Sequence, residues 1–373
     1  SLNNRLQQGD ITVIIGAENI HRSKAFQPTD TANIIFGDDA LATALETQSF
    51  QDRSVTATTS ATATFPYSPD FLHTIAVQIL ALNDNRPPDG IIVDNQMGKV
   101  QYRVPASAAR IQHHLAELAF PEDASAGIFQ KFSDALAFYE RYIDSFGFDI
   151  MTLSRDSTIV ADIARSYAAS GKYRTVAAVY LEPDGDIHVS VHRAGEHSFV
   201  RPDAGIIDTM TRTHGCFGEY IHAILTEDDI FGEMNGKGVF LYATRSAPRQ
   251  LNRLLKDNHL CLDDVELLIE HQANFAMIPM TLAQVLKNAD TPVQSTVEEL
   301  VADRMVTNIH TRGNCSVVCM QRLPYDLQRG ALQSDTIQGF AVNRNTGSLQ
   351  KARLVLYDSV GAGMTRSSFL WRR

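Results

Sequence analysis

Apolar residues fall along this chain in two rhythms. One is the short unbroken run, the mark of a strand buried on both faces. Ile11–Gly16, Gly90–Asp94, Tyr173–Glu182 and Val265–Glu270 are of this kind. The other is a spacing of three and four, which makes one side of a helix apolar. It predicts helices over Pro105–Leu118, Phe129–Ser145, Ile159–Gly171, Val239–Asn258, Phe275–Ala289, Thr296–Asn308 and Ser316–Gly330. Further strands are expected at Asn33–Phe36, Ala40–Leu45, Thr336–Asn343, Ala352–Tyr357 and Ser367–Trp371. The Ser/Thr/Ala stretch Ser54–Thr64 reads as a join or an extended strand, and residues 206–235 as loop-rich.

One unit recurs. Leu2–Glu18 runs helix, Gly, strand, acid, and Thr158–Glu182 repeats the order. Helix followed by buried strand argues for parallel βαβ construction and a duplicated or inserted α/β segment. Ser1–Asp10 reads as the last two turns of a helix capped by Gly9, whose start is expected upstream of Ser1. Three regions follow: 1–55, 56–205 and 206–373.

The chain has 373 residues, with 33 Lys and Arg against 43 Asp and Glu, a formal charge of −10. That balance excludes a whole-surface nucleic-acid binder. No apolar run has the length of a membrane-spanning helix. The four cysteines make neither a disulfide framework nor a metal-type pair, and no leader is visible. The expected setting is cytoplasmic. Nothing calls for a metal, nucleotide or flavin, so no cofactor is expected.

Candidate chemistry lies in the last third. His271-Gln-Ala-Asn274 follows directly on a strand and opens a helix, the position of an active-site residue in an open α/β sheet. An imidazole there suits proton transfer or polarising a carbonyl. Asn314, in Gly313-Asn-Cys-Ser316, has an amide that can donate to a developing enolate or oxyanion. Gly361-Ala362-Gly363 is a tight turn whose backbone N–H groups suit an oxyanion hole.

In order, Met234–Phe240, Asp263–Asn274, Arg312–Ser316 and Gly361–Thr365 resemble the C-terminal half of the ketoacyl synthase III family of the thiolase superfamily. Val13-Ile-Ile-Gly-Ala-Glu18 and Phe36-Gly-Asp-Asp-Ala40 are similar to that family's strand after the nucleophile helix and its Phe-Gly-Asp-Gly-Ala segment. The resemblance implies an α/β fold, a thiolase-like αβαβα of five layers, in a homodimer. It implies Claisen condensation of acyl thioesters on coenzyme A or acyl carrier protein phosphopantetheine. His271 and Asn314 would stabilise the enolate, and Gly361, Ala362 and Gly363 would form the oxyanion turn.

The departures are as informative. The family's nucleophilic Cys begins the helix of which only Leu2–Gly9 stands here, so the Cys is expected on an upstream segment or a partner chain. Residues 1–55 then end an N-terminal half whose start is missing. Residues 56–205 are a degenerate, inserted copy of that half, with Ser154 where the Cys would stand, and 206–373 form the C-terminal half with a preceding loop region. Cys216 is a rival nucleophile. Cys315 and Cys319 read as packed residues. The family's docking Arg after the His-Gln-Ala-Asn run is replaced by Phe275-Ala-Met, and the stripe Arg245, Arg249, Arg253 and Lys256 offers a substitute surface for substrate or carrier. The long gap between His271 and Asn314 places a cap over the substrate tunnel at Asp290–Asp303. The layout is similar to ketosynthases of dialkylresorcinol assembly, which join a β-ketoacyl thioester to an unsaturated one and close a ring. A non-catalytic partner subunit and an acyltransferase on the same fold are the alternatives. Neither nucleic acid nor membrane is expected as a partner.

Overall fold

In a computed structural model, the structure describes residues 11–18, 39–46, 59–68, 70–96, 105–150, 158–182, 186–195, 201, 203–225, 230–314, 319–343 and 351–373. Residues 1–10, the Asn33–Phe36 strand, Ser154 and Cys315 lie outside these. The fold is mixed α/β. The strands are β1 (Ile11–Glu18), β2 (Asp39–Glu46), β3 (Thr59–Pro66), β4 (Gly90–Asn95), β5 (Phe146–Ile150), β6 (Thr175–Leu181) and β7 (Asp186–Arg193). They continue as β8 (Gly205–Thr213), β9 (Ile221–Leu225), β10 (Ile230–Met234), β11 (Leu267–Glu270), β12 (Asp335–Ile337), β13 (Phe340–Val342), β14 (Leu354–Gly361) and β15 (Thr365–Arg372). The longer helices are α1 (Phe71–Leu82), α2 (Ser107–Ala119), α3 (Phe132–Phe138), α4 (Thr158–Ala169), α5 (Gly236–Asp257), α6 (Met277–Lys287) and α7 (Cys319–Gln328).

Two larger sheets repeat one topology. The first has the order β3-β7-β6-β4-β5 and the second β11-β14-β15-β8. In each, an early strand runs antiparallel to the last strand, which forms a hairpin with the strand before it. That strand then pairs in parallel with one further strand, β4 or β11. The first sheet adds β5 in parallel beyond β4. In the second, the corresponding place holds a single parallel bridge, Leu268 to Met305. β1 pairs antiparallel with β2, as β6 does with β7, while the first helix of the repeated unit lies outside the described residues.

The runs that are apolar on every position fill the interior. Ile91, Ile92, Val93 and Val176–Leu181 are buried, with α1 and α2 on one face and α4 on the other. Around the second sheet, Leu268 and Leu356 face α5 and α6, while Leu267, Ile269 and Val355 face α7.

The outer strands β5 and β8 meet edge to edge. Thr213 N–H donates to Ser145 O at 2.9 Å, and Gly147 N–H donates to Thr213 Oγ1 at 2.8 Å. The buried Gln112 amide closes the join by donating to Thr213 O at 2.7 Å and Ser145 Oγ at 2.8 Å.

Several expectations change. Residues 206–235 are not loop-rich. They carry β8, a 3-10 turn (Gly215–Tyr220), β9 and β10. Their polar residues mask the strand pattern, because β8 spends Asp208 and Arg212 on ion pairs with Lys172 and Asp144. The helix expected over Phe129–Ser145 is broken into a 3-10 turn, α3 and a π-helical turn at Tyr139–Ile143, ending where Asp144 takes φ 34°. Thr296–Asn308 shortens to Val297–Glu299 and a π-helical turn ending at Arg304, since Met305 and Val306 join the sheet edge. Thr336–Asn343 is a small hairpin, β12-β13.

Candidate active site

His271 stands at the end of β11, and its N–H donates to Asp358 O of β14 at 2.8 Å. Because β14 runs parallel to β11, the Gly361–Gly363 turn lies at the same end of the sheet. It is three residues beyond Asp358, about 10 Å along the strand. Although His271 keeps part of its surface accessible, protein surrounds the ring. Burial, with the Arg366 guanidinium nearby, pushes its pKa down to about 4. The imidazole is therefore neutral at physiological pH, with one N–H to donate.

Gln272 carried no assigned role in the sequence, yet it ties this corner together. It is buried. Its Nε2 donates to Val306 O at 2.6 Å, and its Oε1 accepts the N–H groups of Asn308 and Ile309, both at 3.1 Å. These residues lead into the Ile309–Arg312 turn, Gly313 and the buried Asn314. Gly313 takes φ +70°, open to glycine and costly to other residues. The next helix, α7, rests Cys319 Sγ against Glu270 O at 4.0 Å. The segments bearing His271 and Asn314 thus share the end of β11. Asn308 Nδ2 donates to the buried Asp326 at 3.1 Å, which fixes α7 to the same corner.

The Gly361-Ala362-Gly363 turn is a tight hairpin, closed by the Gly361–Thr365 pair. Gly361 and Ala362 are exposed, while Gly363 and Met364 are buried. Gly363 has φ +129°, and a Cβ there would stand 2.8 Å from Thr365 Oγ1. Met364 O accepts the His214 N–H at 2.9 Å and the Tyr242 hydroxyl at 3.1 Å, so the turn is fixed from behind.

Other candidates lie elsewhere or are already engaged. Cys216 sits on the 3-10 turn among Phe217, Tyr139 and Met364. Burial drives its thiol pKa far up, against the opposing effect of the Tyr139 hydroxyl, so it lacks the thiolate a nucleophile needs. Three of the four basic residues in the α5 stripe are ion-paired within the protein. Arg249 pairs with Glu140, Arg253 with Asp144 at 2.9 Å and Lys256 with Asp290 at 2.8 Å. Arg245 donates to Gln284 at 3.3 Å. Asp290–Asp303 is no cap over the site. Leu300 and Val301 are buried in the core beside α6, and Arg304 donates to the carbonyls of Leu262, Asp263 and Val265, before the opposite end of β11.

Among the described residues no group of three or more His, Cys, Asp or Glu is placed to hold a metal ion, and no helix is long and apolar enough to cross a membrane.

This corner thus sets a neutral imidazole at the end of β11, tied through Gln272 to the segment that leads to a buried carboxamide. The chain is similar to the β-ketoacyl-[acyl-carrier-protein] synthase III of Rickettsia bellii, at 25% identity over 246 residues, covering 60% of this chain and 67% of that protein. It is similar to the synthase III of Solibacter usitatus at 27% over 180 residues, covering 45% and 46% of the two chains. Among solved structures, 3-oxoacyl-(acyl carrier protein) synthase III of Pseudomonas aeruginosa PAO1 matches at 19% identity and a TM-score of 0.35, covering 81% of this chain and 82% of that one. That overlay is loose, and the relationship rests on the sequence. No protein-family model matches the chain.

Proposed function

We propose that this chain supplies the enolate-stabilising half of a 3-oxoacyl synthase III-type condensing enzyme. The neutral His271 N–H and the Asn314 amide bind the carbonyl oxygen of an extender thioester. As its α-carbon loses CO2, the enolate charge settles on that oxygen between the two donors. The carbon then attacks the acyl group of a second thioester, held on a cysteine of an upstream segment or a partner chain, and the thiolate leaves. The backbone of the Gly361–Gly363 turn takes the oxyanion of the tetrahedral intermediate. Substrates are acyl groups on coenzyme A or acyl carrier protein, and the working enzyme is a homodimer. The product we favour is the precursor of a cyclic dialkylresorcinol, from a β-ketoacyl and an unsaturated acyl thioester.

What supports this reading is that Gln272, next to His271, anchors the Asn308–Ile309 backbone that leads on to Asn314, in a chain whose curated relatives are synthases III. The test uses the protein with its encoded upstream segment. Incubation with acyl-CoA should add one acyl mass to an upstream cysteine, and His271→Ala should abolish condensation while leaving that adduct in place. No adduct would make the chain a non-catalytic partner. Condensation unchanged by His271→Ala would remove the proposed mechanism.

A further inference from the structure

Behind His271 lies a cluster that the proposed reaction does not use. Strand register sets Glu270 of β11 beside Asp358 of β14, and Asp358 opposite Ser368 of β15. Two positions earlier on their strands, Leu268 and Leu356 face α5 and α6, so the carboxyl groups face that way too. Ser368 Oγ donates to Asp358 Oδ1 at 2.6 Å and accepts from Gln250 Nε2 at 2.8 Å. The buried Arg366 places Nη2 3.0 Å from Asp358 Oδ2 and donates through both Nη atoms to Ala243 O, at 3.1 and 3.0 Å. Asp358 O in turn receives the His271 N–H. A line of contacts therefore runs from α5 through Arg366 and Asp358 to the backbone of His271.

The charge count is unequal. Two carboxyl groups stand side by side, Asp358 buried and Glu270 half-buried, and face one guanidinium. Both cannot ionise without a large penalty. Asp358 has the ion pair and the hydroxyl, whereas the Glu270 carboxyl has no hydrogen bond among the described residues. Among the described residues no other charged group faces it. From α5 come Gln250 and Leu251, from α6 Thr281, Leu282 and Val285, and from the sheet edge Met305. Arg245, Arg249 and Arg253 are exposed on α5 and paired with outer residues.

We propose that Glu270, Asp358 and Arg366 are positioning residues for His271: one of the two adjacent carboxyl groups is protonated, the other faces the guanidinium, and this neutral set holds the turn that presents the imidazole. Burial and the neighbouring Asp358 push Glu270 up to about 8, and burial raises Asp358 as well, with Arg366 opposing both. When that proton is lost, Arg366 must serve two carboxylates, and its hold on Asp358 and Ala243 slackens. The bearing of this on catalysis rests on the role proposed for His271. Its bearing on structure does not.

The test is an NMR titration of the full chain between pH 6 and 9.5, following the His271 imidazole. In the unaltered protein its signals should shift with a midpoint near 8, far above the ring's own titration. Glu270→Gln, which keeps the neutral form, should hold them at their pH 7 position throughout. Arg366→Lys should displace them at every pH. In parallel, condensation should fall about tenfold between pH 7 and 9, in kcat and not in KM, and Glu270→Gln should lack that fall. Should Glu270→Gln fail to fold, the 13C carboxyl signal of Glu270 decides in the unaltered protein: titration near 8 supports the cluster, and titration below 6 overturns it. A midpoint near 8 that survives Glu270→Gln, or no shift in the unaltered protein, also overturns it. If the signals behave as expected but no condensation is ever observed, the reading of function fails and the cluster stands. If condensation proceeds without the shift, the cluster fails and the function stands.

Discussion

Replacing Gln272 by Ala would remove three hydrogen bonds at once from a buried corner. Val306 O would lose its donor, and the N–H groups of Asn308 and Ile309 would lose their shared acceptor. A buried backbone group without a partner costs about 1–3 kcal/mol. Water entering the space left by the side chain recovers part of the sum, so the expected loss is about 3–5 kcal/mol. That is a large share of a typical domain's stability. Urea denaturation reads it as a lowered midpoint. Gln272→Glu is the informative partner, since it keeps an acceptor for both N–H groups but sets a carboxylate against Val306 O. Its loss should be of the same order or smaller. Because the same amide registers the His271 turn against the segment leading to Asn314, condensation should fall with either change, even at temperatures where the variant is fully folded. A Gln272→Ala protein that loses less than about 1 kcal/mol, or one that condenses at the normal rate, would refute the reasoning.

Three further outcomes are expected. On the role proposed for His271, whose pKa is pushed down to about 4, condensation should stay level as pH falls from 7 to 5 and drop only as pH falls through about 4. Its depressed pKa also means that the fold loses stability as pH falls from the ordinary 6.5 toward 4, where the unfolded chain takes up the proton first. A stopped assay and a melting series over that range check both. Cys216 should react with iodoacetamide at pH 8 far more slowly than a free thiol, because burial keeps it protonated. Rapid alkylation, mapped by peptide mass, would contradict that. Gly363→Ala should destabilise by about 1–3 kcal/mol through its strained φ and the approach to Thr365 Oγ1. A melting temperature equal to the parent's would show that the hairpin yields.

The buried parallel strands were plain in the sequence because every position in them is apolar: Ile91–Val93 and Val176–Leu181 need no periodicity to be recognised. His271 and Asn314 stood out through order and context, and the structure sets their segments at one sheet end. What the sequence concealed is pairing between distant residues. β8 carries Asp208, Arg212 and several threonines, which read as loop until Lys172, Asp144 and Ser145 stand opposite them. The α5 arginines look free until their acidic partners, more than a hundred residues away for Arg249 and Arg253, are seen. Glu270 looks like one more charge at a strand end until register sets Asp358 beside it.

The edge-to-edge meeting of β5 and β8 has a consequence for how this molecule comes apart. An open strand edge is a template for stray pairing, and here each sheet blocks the other's. The seam at Thr213 and Gln112 lies between segments that are remote along the chain. Neither sheet can fray at this margin without exposing its neighbour. The two halves should therefore melt in a single cooperative transition, and a cut in the chain between them should release a sticky ribbon from each.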